Sequence, residues 1–583
     1  MFRRTTVSNR EIAGLLENIA NLLEIKGENP YRVRAYREAA RHIEALAEDI
    51  TKIAAEGRLQ EIPGVGESIA TKIQEYINTG HLAYYDELKN QVAPGLGELL
   101  NVPGLGPRKA QTIYRELGIS TIPKLAEAAR RHEICKLPGI REKTEQKILR
   151  EIERLQQRTQ RLPLGVALPA AEEVVSLLKA HHNTFRRIDP AGSIRRRKET
   201  IGDIDILASS TAPKEAMDVF TTLPIVKEIL LKGPTKSSIL IKGNLQIDLR
   251  VIKPEEYGSA LQYFTGSKEH NIVLRELAIR KGLKLSEYGI FDERTGRRLG
   301  GETEEEIYAI LGLQWIPPEL RENRGEIEAA AEGRLPKLIE LRDLRGDLHM
   351  HTDMTDGTDS LEAMVEAARR MGYEYVAITD HSVGLGVAHG LTLDRIEEQR
   401  RIIDQLNRKY APFRILHGIE VNIRSDGTLD YDDRVLQQFD IVTASIHGGF
   451  EQSREKMTER IIRAIRNPNV DVLNHPTGRL IDKRPGYQID LDAVIKAAVE
   501  EGTALEINSQ PNRLDLDDVW ARRAKEMGAT LTIDSDAHNK YQLAFVRYGV
   551  STARRGWLQK SDVLNTLPLS KLLQRLHPSR KAA

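Results

Sequence analysis

Between residues 9 and 46 apolar side chains recur every three to four positions. Ile12, Leu15, Leu16, Ile19, Leu22 and Leu23 form one stripe, and Tyr31 to Leu46 repeats it with Arg32, Arg34, Arg37 and Arg41 interleaved, so short amphipathic helices are predicted through residue 82. From Leu162 the period changes. A helix is expected over Ala170 to His181, then strands over Asp203 to Ala208, Ser238 to Ile241 and Leu245 to Ile252, the alternation of an α/β layer. Asp203 and Asp205 share one strand face while Ile204 and Ile206 share the other, and Gln246, Asp248 and Arg250 likewise part from Leu245, Ile247 and Leu249. Residues 323–342, rich in alanine and charge and holding Gly325, Gly333 and Pro336, read as a linker or bridging helix. Beyond them, short apolar runs end one after another in His, Asp or Glu at the intervals of βα units.

At 583 residues the chain is too long for one core, and three to five folding units are expected. Hydrophobic content of 40% with 29% charged residues describes a soluble globular protein, and no apolar run approaches the ~18 residues of a membrane span. The start is basic but leads into an amphipathic pattern, not an apolar signal core, so a cytoplasmic location and no membrane partner are expected. Cys135 is the single cysteine, which excludes an internal disulfide or a thiolate zinc cluster. Net charge is +1: residues 1–342 hold 53 Lys/Arg against 49 Asp/Glu, and the remainder 33 against 36. The balance permits nucleic-acid binding through local patches and backbone amides.

The candidate chemistry lies in three patterns. In the first, Gly192-Ser193 precedes a basic run, Arg195 to Lys198, and then Gly202-Asp203-Ile204-Asp205; two carboxylates on one strand face suit Mg2+, and the basic turn suits phosphate. The second is a repeated Pro-Gly-x-Gly turn, at Gly64/Gly66, at Gly104/Gly106 and imperfectly at Gly139, where Arg141 takes the second glycine position. Such turns present backbone amides and a helix N-terminus to a DNA phosphate without reading sequence. In the third, nine of the 15 histidines fall in the last 241 residues. His349-Met350-His351 directs both imidazoles to one side, and Asp356, His381, Glu420, His447, His475, Asp536 and His538 follow at run ends that converge on one face of a barrel.

Gly192-Ser193 with Gly202-Asp203-x-Asp205 resembles the nucleotidyltransferase signature. Tyr263-Phe264-Thr265-Gly266-Ser267 with Asn271 and Arg275 resembles a bacterial or archaeal family X DNA polymerase of the PolX type. The ordered His/Asp/Glu positions resemble a PHP domain. The resemblance implies a multidomain chain: helical helix-hairpin-helix domains at 1–82 and 83–160, an α/β nucleotidyltransferase palm at 161–257, a nucleotide-selecting subdomain at 258–322, a linker at 323–342 and a distorted β/α barrel, the PHP domain, at 343–583. It further implies that Asp203, Asp205 and Asp248 hold two Mg2+ ions. Gly192, Ser193 and Arg196 would meet the triphosphate, Tyr263 and Phe264 the sugar, and Asn271 and Arg275 the minor-groove edge, with Gly202 and Gly266 also counted among the nucleotide-binding residues. Lys268 stands where the vertebrate pattern has an aspartate, and its ammonium could reach the triphosphate. Tyr263 to Ser267 also fits plain strand-to-turn packing.

By the same resemblance Lys72 matches the lysine that forms a Schiff base with a 5′-deoxyribose phosphate. That role needs a lowered pKa, for which Arg32 and Tyr36 are candidate neighbours, and the alternative is a solvated helix lysine touching phosphate. In the barrel, His349, His351, Glu420 and Asp536 would hold one ion, Glu420, His447 and His475 a second, and Asp356, His381 and His538 a third, as Mn2+ or Zn2+. His389, His417 and His577 fit none of these sets. The implied function is a monomeric gap-filling DNA repair polymerase acting on 5′-phosphorylated gaps with deoxynucleoside triphosphates. Its barrel would be a 3′-to-5′ exonuclease, with abasic endonuclease or 3′-phosphatase activity alongside. Two alternatives stand beside it: a DNA-binding front end fused to a histidinol-phosphate-type phosphoesterase, and a non-enzymatic gap-binding scaffold.

Overall fold

A computed structural model describes residues 9–26, 28–44, 50–91, 99, 102, 105–159, 161–384 and 388–576. The chain divides into two compact units, 1–160 and 161–583.

In the first unit, helices Asn9–Ile25 and Pro30–Glu44 bury the expected stripe from Ile12 to Leu23 together with Val33, Tyr36 and Ile43. A 3-10 turn over Leu59–Glu61 leads through Gly64 and Gly66 into helix Glu67–Thr79. Gly64 has φ +84°, and a Cβ there would sit 3.0 Å from the amide nitrogen of Ala39, so only glycine fits. Gly66 caps the helix and faces open space. Gly106 repeats the arrangement at the start of helix Pro107–Leu117, while Gly104 lies outside the described residues. The imperfect third copy turns at Gly139 (φ +80°) into helix Glu142–Thr159.

The second unit opens with a five-stranded sheet in the order Arg187–Pro190, Ile204–Ser209, Gln246–Ile252, Lys236–Ile241, Val226–Lys232. Strands Ile204–Ser209 and Gln246–Ile252 are parallel neighbours, in a register that sets Asp205 against Asp248. Val226–Lys232 is an exposed edge strand, and without a buried face it shows no alternation by which to read it. Helix Leu164–Lys179 starts ahead of the expected Ala170; Pro169 falls inside it, and buried Leu164, Ala167 and Leu168 hold that part of the helix against the sheet.

Residues 257–322 carry helices Tyr257–Thr265, Lys268–Arg280 and Glu304–Ile310 around a three-stranded antiparallel sheet. Tyr263 to Thr265 close a helix, which corrects the strand-to-turn alternative. Residues 323–342 are folded: helix Glu326–Ala331 buries Glu326, Ile327 and Ala330, and Ile339 enters the barrel core.

The barrel has seven parallel strands in chain order, Gly346–Asp347, Tyr375–Ile378, Arg414–Asn422, Ile441–Ser445, Val472–Leu473, Ala504–Asn508 and Leu531–Asp534. A parallel bridge between Met350 and Ala537 joins the first strand's extension to the last and closes it. Leu348, Tyr375, Ala377, Leu416, Ile441, Val472 and Ala504 share one core with Leu564, Leu572 and Leu576 from the C-terminal segment.

Candidate active sites

The palm site is built on the two parallel strands. Asp205 is pushed up to about 6, first by burial and then by the charges of Asp203 and Asp248. Asp248, although buried, stays below the ordinary carboxylate range because Gln246 Nε2 donates to it at 2.8 Å and Lys236 Nζ lies 2.9 Å away. Asp203 is exposed at the rim. Three carboxylates in one site, one of them raised by burial and by the charges of the other two, fit a divalent cation with oxygen ligands. Gly192 has φ +60°, and a Cβ there would meet Asp205 Oδ2 at 2.9 Å, so a larger residue would displace the carboxylate. Lys236 carries no motif signal; only strand pairing brings it to Asp248.

The nucleotide candidates sit on the adjoining turn and helices. Ser193 is half-buried in the short helix Gly192–Arg195, and Gly202 is exposed on the approach to Asp203. Arg196 is engaged: Nε donates to Glu322 Oε1 at 3.0 Å and Nη1 to the carbonyl of Thr265. Gly266 (φ +68°) lies against that guanidinium. Tyr263 and Phe264 meet edge to face at 5.1 Å, and Arg250 stacks over Phe264 at 4.7 Å. Asn271 donates to the Tyr263 carbonyl at 2.8 Å and accepts from Gln262 at 2.7 Å, while Arg275 Nε is buried without a hydrogen-bond partner among the described residues. Lys268 is an exposed first residue of its helix, capped by Ser267.

Lys72 Nζ donates to Ser68 Oγ at 2.9 Å and lies 4.9 Å from the Tyr84 ring centre. Burial, then the Arg32 guanidinium, lower its pKa, and Arg32 is itself held by Tyr84 Oη at 2.8 Å. Tyr84 went unread in the sequence because it lies 12 residues from Lys72 with no spacing to mark it.

At the barrel's C-terminal face the nine ligand candidates converge. His349 Nε2 and His351 Nε2 are 3.1 Å apart, with Asp536 Oδ1 at 3.6 and 3.3 Å and Glu420 Oε2 at 3.5 and 3.6 Å. Glu420 Oε1 lies 3.1 Å from His475 Nε2 and 3.6 Å from His447 Nε2. Asp356 Oδ2 lies 3.3 Å from His381 Nε2 and 3.4 Å from His538 Nε2. His381 Nδ1 approaches Glu420 Oε2 at 2.9 Å, so this histidine touches two of the three sets. Burial, then the neighbouring His381 and His538, push His351 down to about 3. Imidazole nitrogens facing one another, interleaved with carboxylates, fit Mn2+, Zn2+ or iron, whereas packing alone would leave those nitrogens unsatisfied.

One residue of this shell escaped the sequence reading. Glu506, fully buried on strand Ala504–Asn508, accepts from His349 Nδ1 at 2.6 Å and from the His475 backbone amide at 2.6 Å. The signal was an acid inside the apolar run Ala504 to Ile507. His417, outside all three sets, packs on Phe439 at 4.7 Å, and burial pushes it down to about 3.

The fold and sites define a polymerase-beta-like nucleotidyltransferase joined to a PHP metal barrel. Family models match at each part: a helix-hairpin-helix domain over 7–82, a SAM-like helix-hairpin-helix tandem over 96–154, the DNA polymerase beta thumb over 260–322 and the PHP domain over 347–510. The DNA polymerase/3′-5′ exonuclease PolX of Bacillus subtilis (strain 168) is 41% identical over 564 residues, covering 96% of this chain and 98% of that protein. The chain belongs to the PolX family of DNA polymerases. Probable phosphatases from Shewanella sp. (strain ANA-3) and Caldanaerobacter subterraneus are each 32% identical, over 40% and 41% of this chain and 93% and 94% of their own lengths.

Proposed function

We propose that this chain is a DNA-directed DNA polymerase that fills short gaps in DNA repair, with a 3′-to-5′ exonuclease housed in its PHP barrel. The observation that carries the reading is two convergent ligand sets on two different sheets of one chain: Asp205 facing Asp248, and nine His/Asp/Glu side chains closing on the barrel mouth. When bound, two Mg2+ ions in the palm and up to three Mn2+ or Zn2+ ions in the barrel would supply charge neutralisation and Lewis acidity.

The protein's own groups do the rest. Asp248, kept ionised by Lys236 and Gln246, can accept the proton of the primer 3′-hydroxyl. Ser193, Arg196, Gly202 and Lys268 line the approach of the triphosphate, Arg196 by sharing its guanidinium with Glu322. Tyr263 and Phe264 wall the sugar, with Asn271 and Arg275 behind them for the minor-groove edge. The amides around Gly64, Gly66, Gly104 and Gly106 hold backbone phosphates of a 5′-phosphorylated gap, and Lys72 attacks a 5′-deoxyribose phosphate. The 32%-identical phosphatases favour a second barrel activity, removal of a 3′-phosphate.

Crossed variants test the division of labour. Asp205→Ala should abolish extension across a one-nucleotide gap yet leave Mn2+-dependent degradation of an end-labelled primer intact, and Glu420→Ala should do the reverse. Degradation lost with Asp205 and kept without Glu420 would assign the nuclease to the palm and overturn the reading.

A further inference from the structure

The barrel's ligand candidates differ in their exposure to solvent. His349, His351, Glu420, His475 and Asp536 are at most 5% exposed and the His447 side chain 15%, whereas Asp356 and His538 stand at 32% and 31%. Asp356 and His538 are the most exposed of these candidates.

Three residues beyond His538, on that rim, Tyr541 is 77% exposed, and its hydroxyl makes no hydrogen bond to any described residue. Water gains nothing from an aromatic ring held out in this way, yet the backbone beneath it is fixed. Asn539 Oδ1 accepts from the amides of Tyr541 at 3.0 Å and Gln542 at 3.2 Å, and Gln542 Oε1 accepts from the His538 amide at 2.8 Å. The Thr358 amide ties the His538 carbonyl at 2.8 Å, and Asp359 accepts from the Lys540 amide at 3.0 Å. The backbone beneath the ring is thus fixed beside a ligand candidate; Lys540 Nζ lies 5.4 Å from the ring centre and 3.5 Å from Asp359 Oδ1, an exposed pairing that a phosphate can replace. Val383, two residues past His381, is another exposed apolar side chain beside a ligand position.

We propose that Tyr541 is a stacking platform for the terminal base of a single-stranded 3′ end, with Lys540 placed for the phosphate next to that base. The proposal rests on the nuclease reading above and deepens it: the substrate is an unpaired nucleotide strand gripped by its terminal base as well as by its phosphate. Stacking is available to every base, so the grip carries no sequence preference. It also requires the terminal pair to be melted before degradation begins.

The test uses the full chain in Mn2+ with 5′-labelled single-stranded oligonucleotides. Tyr541→Ala should raise KM about 5- to 150-fold with little change in kcat, and Tyr541→Trp should restore it. On an oligonucleotide ending in an abasic residue, the wild-type KM should already be raised and Tyr541→Ala should add nothing. A second measurement needs no turnover: 2-aminopurine at the 3′ end, bound in EDTA, should be quenched by the wild type and less so by Tyr541→Ala. Gap extension by the same variant reports on folding. Equal KM on ordinary oligonucleotides, or the same penalty on the abasic end, overturns the platform while leaving the nuclease in place. Absent degradation with Tyr541-dependent quenching would retain the platform and sink the nuclease reading; absent degradation with equal quenching would sink both.

Discussion

Glu304→Gln should expose how the palm turn is held. Glu304 is 4% exposed and accepts from both guanidiniums: Oε1 from Arg195 Nη1 at 2.7 Å and Arg321 Nη1 at 2.5 Å, Oε2 from Arg195 Nη2 at 2.8 Å and Arg321 Nη2 at 3.1 Å, with Trp315 Nε1 at 3.2 Å. Arg321 is fully buried. A glutamine keeps one acceptor oxygen but turns an amide N–H2 toward guanidinium donors and strips the counter-charge from a buried cation. Breaking one side of such a pair costs about 3–5 kcal/mol, roughly two to four decades in the folded-to-unfolded ratio. The loss should carry a pH signature. Burial would raise the Glu304 carboxyl, but Arg321 and Arg195 hold it far below the carboxylate range. A folded pKa below the unfolded one stabilises fully above about pH 4.3 and progressively less as pH falls further, so wild-type stability should drop by up to about 1.4 kcal/mol per pH unit there. The glutamine variant should lack that component. Urea unfolding followed by tryptophan fluorescence at pH 7.5 and at steps below 4.5 measures both quantities. Because Arg195 closes the Gly192–Arg195 turn, nucleotide KM in gap filling should also rise while primer degradation stays unchanged. Adding Arg321→Met should recover part of the stability, since the orphaned cation is then gone. A destabilisation below about 1 kcal/mol with an unchanged acid slope would refute the argument.

Glu506→Gln should weaken Mn2+ or Zn2+ binding by the barrel about 10- to 100-fold, because the carboxylate that orients His349 is lost, with gap extension unaffected; equal metal affinity by titration calorimetry would count against it. Lys72→Ala should abolish borohydride trapping on a 5′-deoxyribose phosphate. In the wild type the trapping rate should level off at a pH below the ordinary lysine value, since burial and Arg32 lower this amine, and a plateau at the ordinary value would remove Lys72 as nucleophile. Lys268→Asp should weaken nucleotide binding more in EDTA than in Mg2+, because a cation partly replaces the metal's screening of phosphate; unchanged metal-free affinity by fluorescence titration would refute it.

Much of both candidate sites was legible along the chain because its ligands follow strand periodicity. His349 and His351 two apart, Asp203 and Asp205 two apart, and acids or histidines ending successive apolar runs are patterns of extended chain; Asp205 lies on its strand, while Asp203, His349 and His351 fall just outside the strands Ile204–Ser209 and Gly346–Asp347. Glycines at Gly64 and Gly192 were equally legible, and the structure supplies the reason: a positive φ and a close approach that no Cβ survives. Strand Val226–Lys232 was not legible, because an edge strand exposed on both faces has no burial to select an alternating pattern.

Only the tertiary structure could bring Lys236 to Asp248, Glu304 to Arg195 and Arg321, Tyr84 to Arg32 and Lys72, or Glu506 to His349. These partners lie 12 to 157 residues apart, and no local period encodes such a pairing. The same holds for the segment 323–342: its composition reads as a linker or bridging helix, and what fixes the helix Glu326–Ala331 in place is a buried hydrogen bond of 2.7 Å between His270 Nδ1 and Glu326, a contact formed only once residues 56 positions apart meet. Along the chain a charge is a charge. Whether it binds a metal, orients a ligand or locks a turn depends on which opposite charge shares its burial, and that is decided by packing.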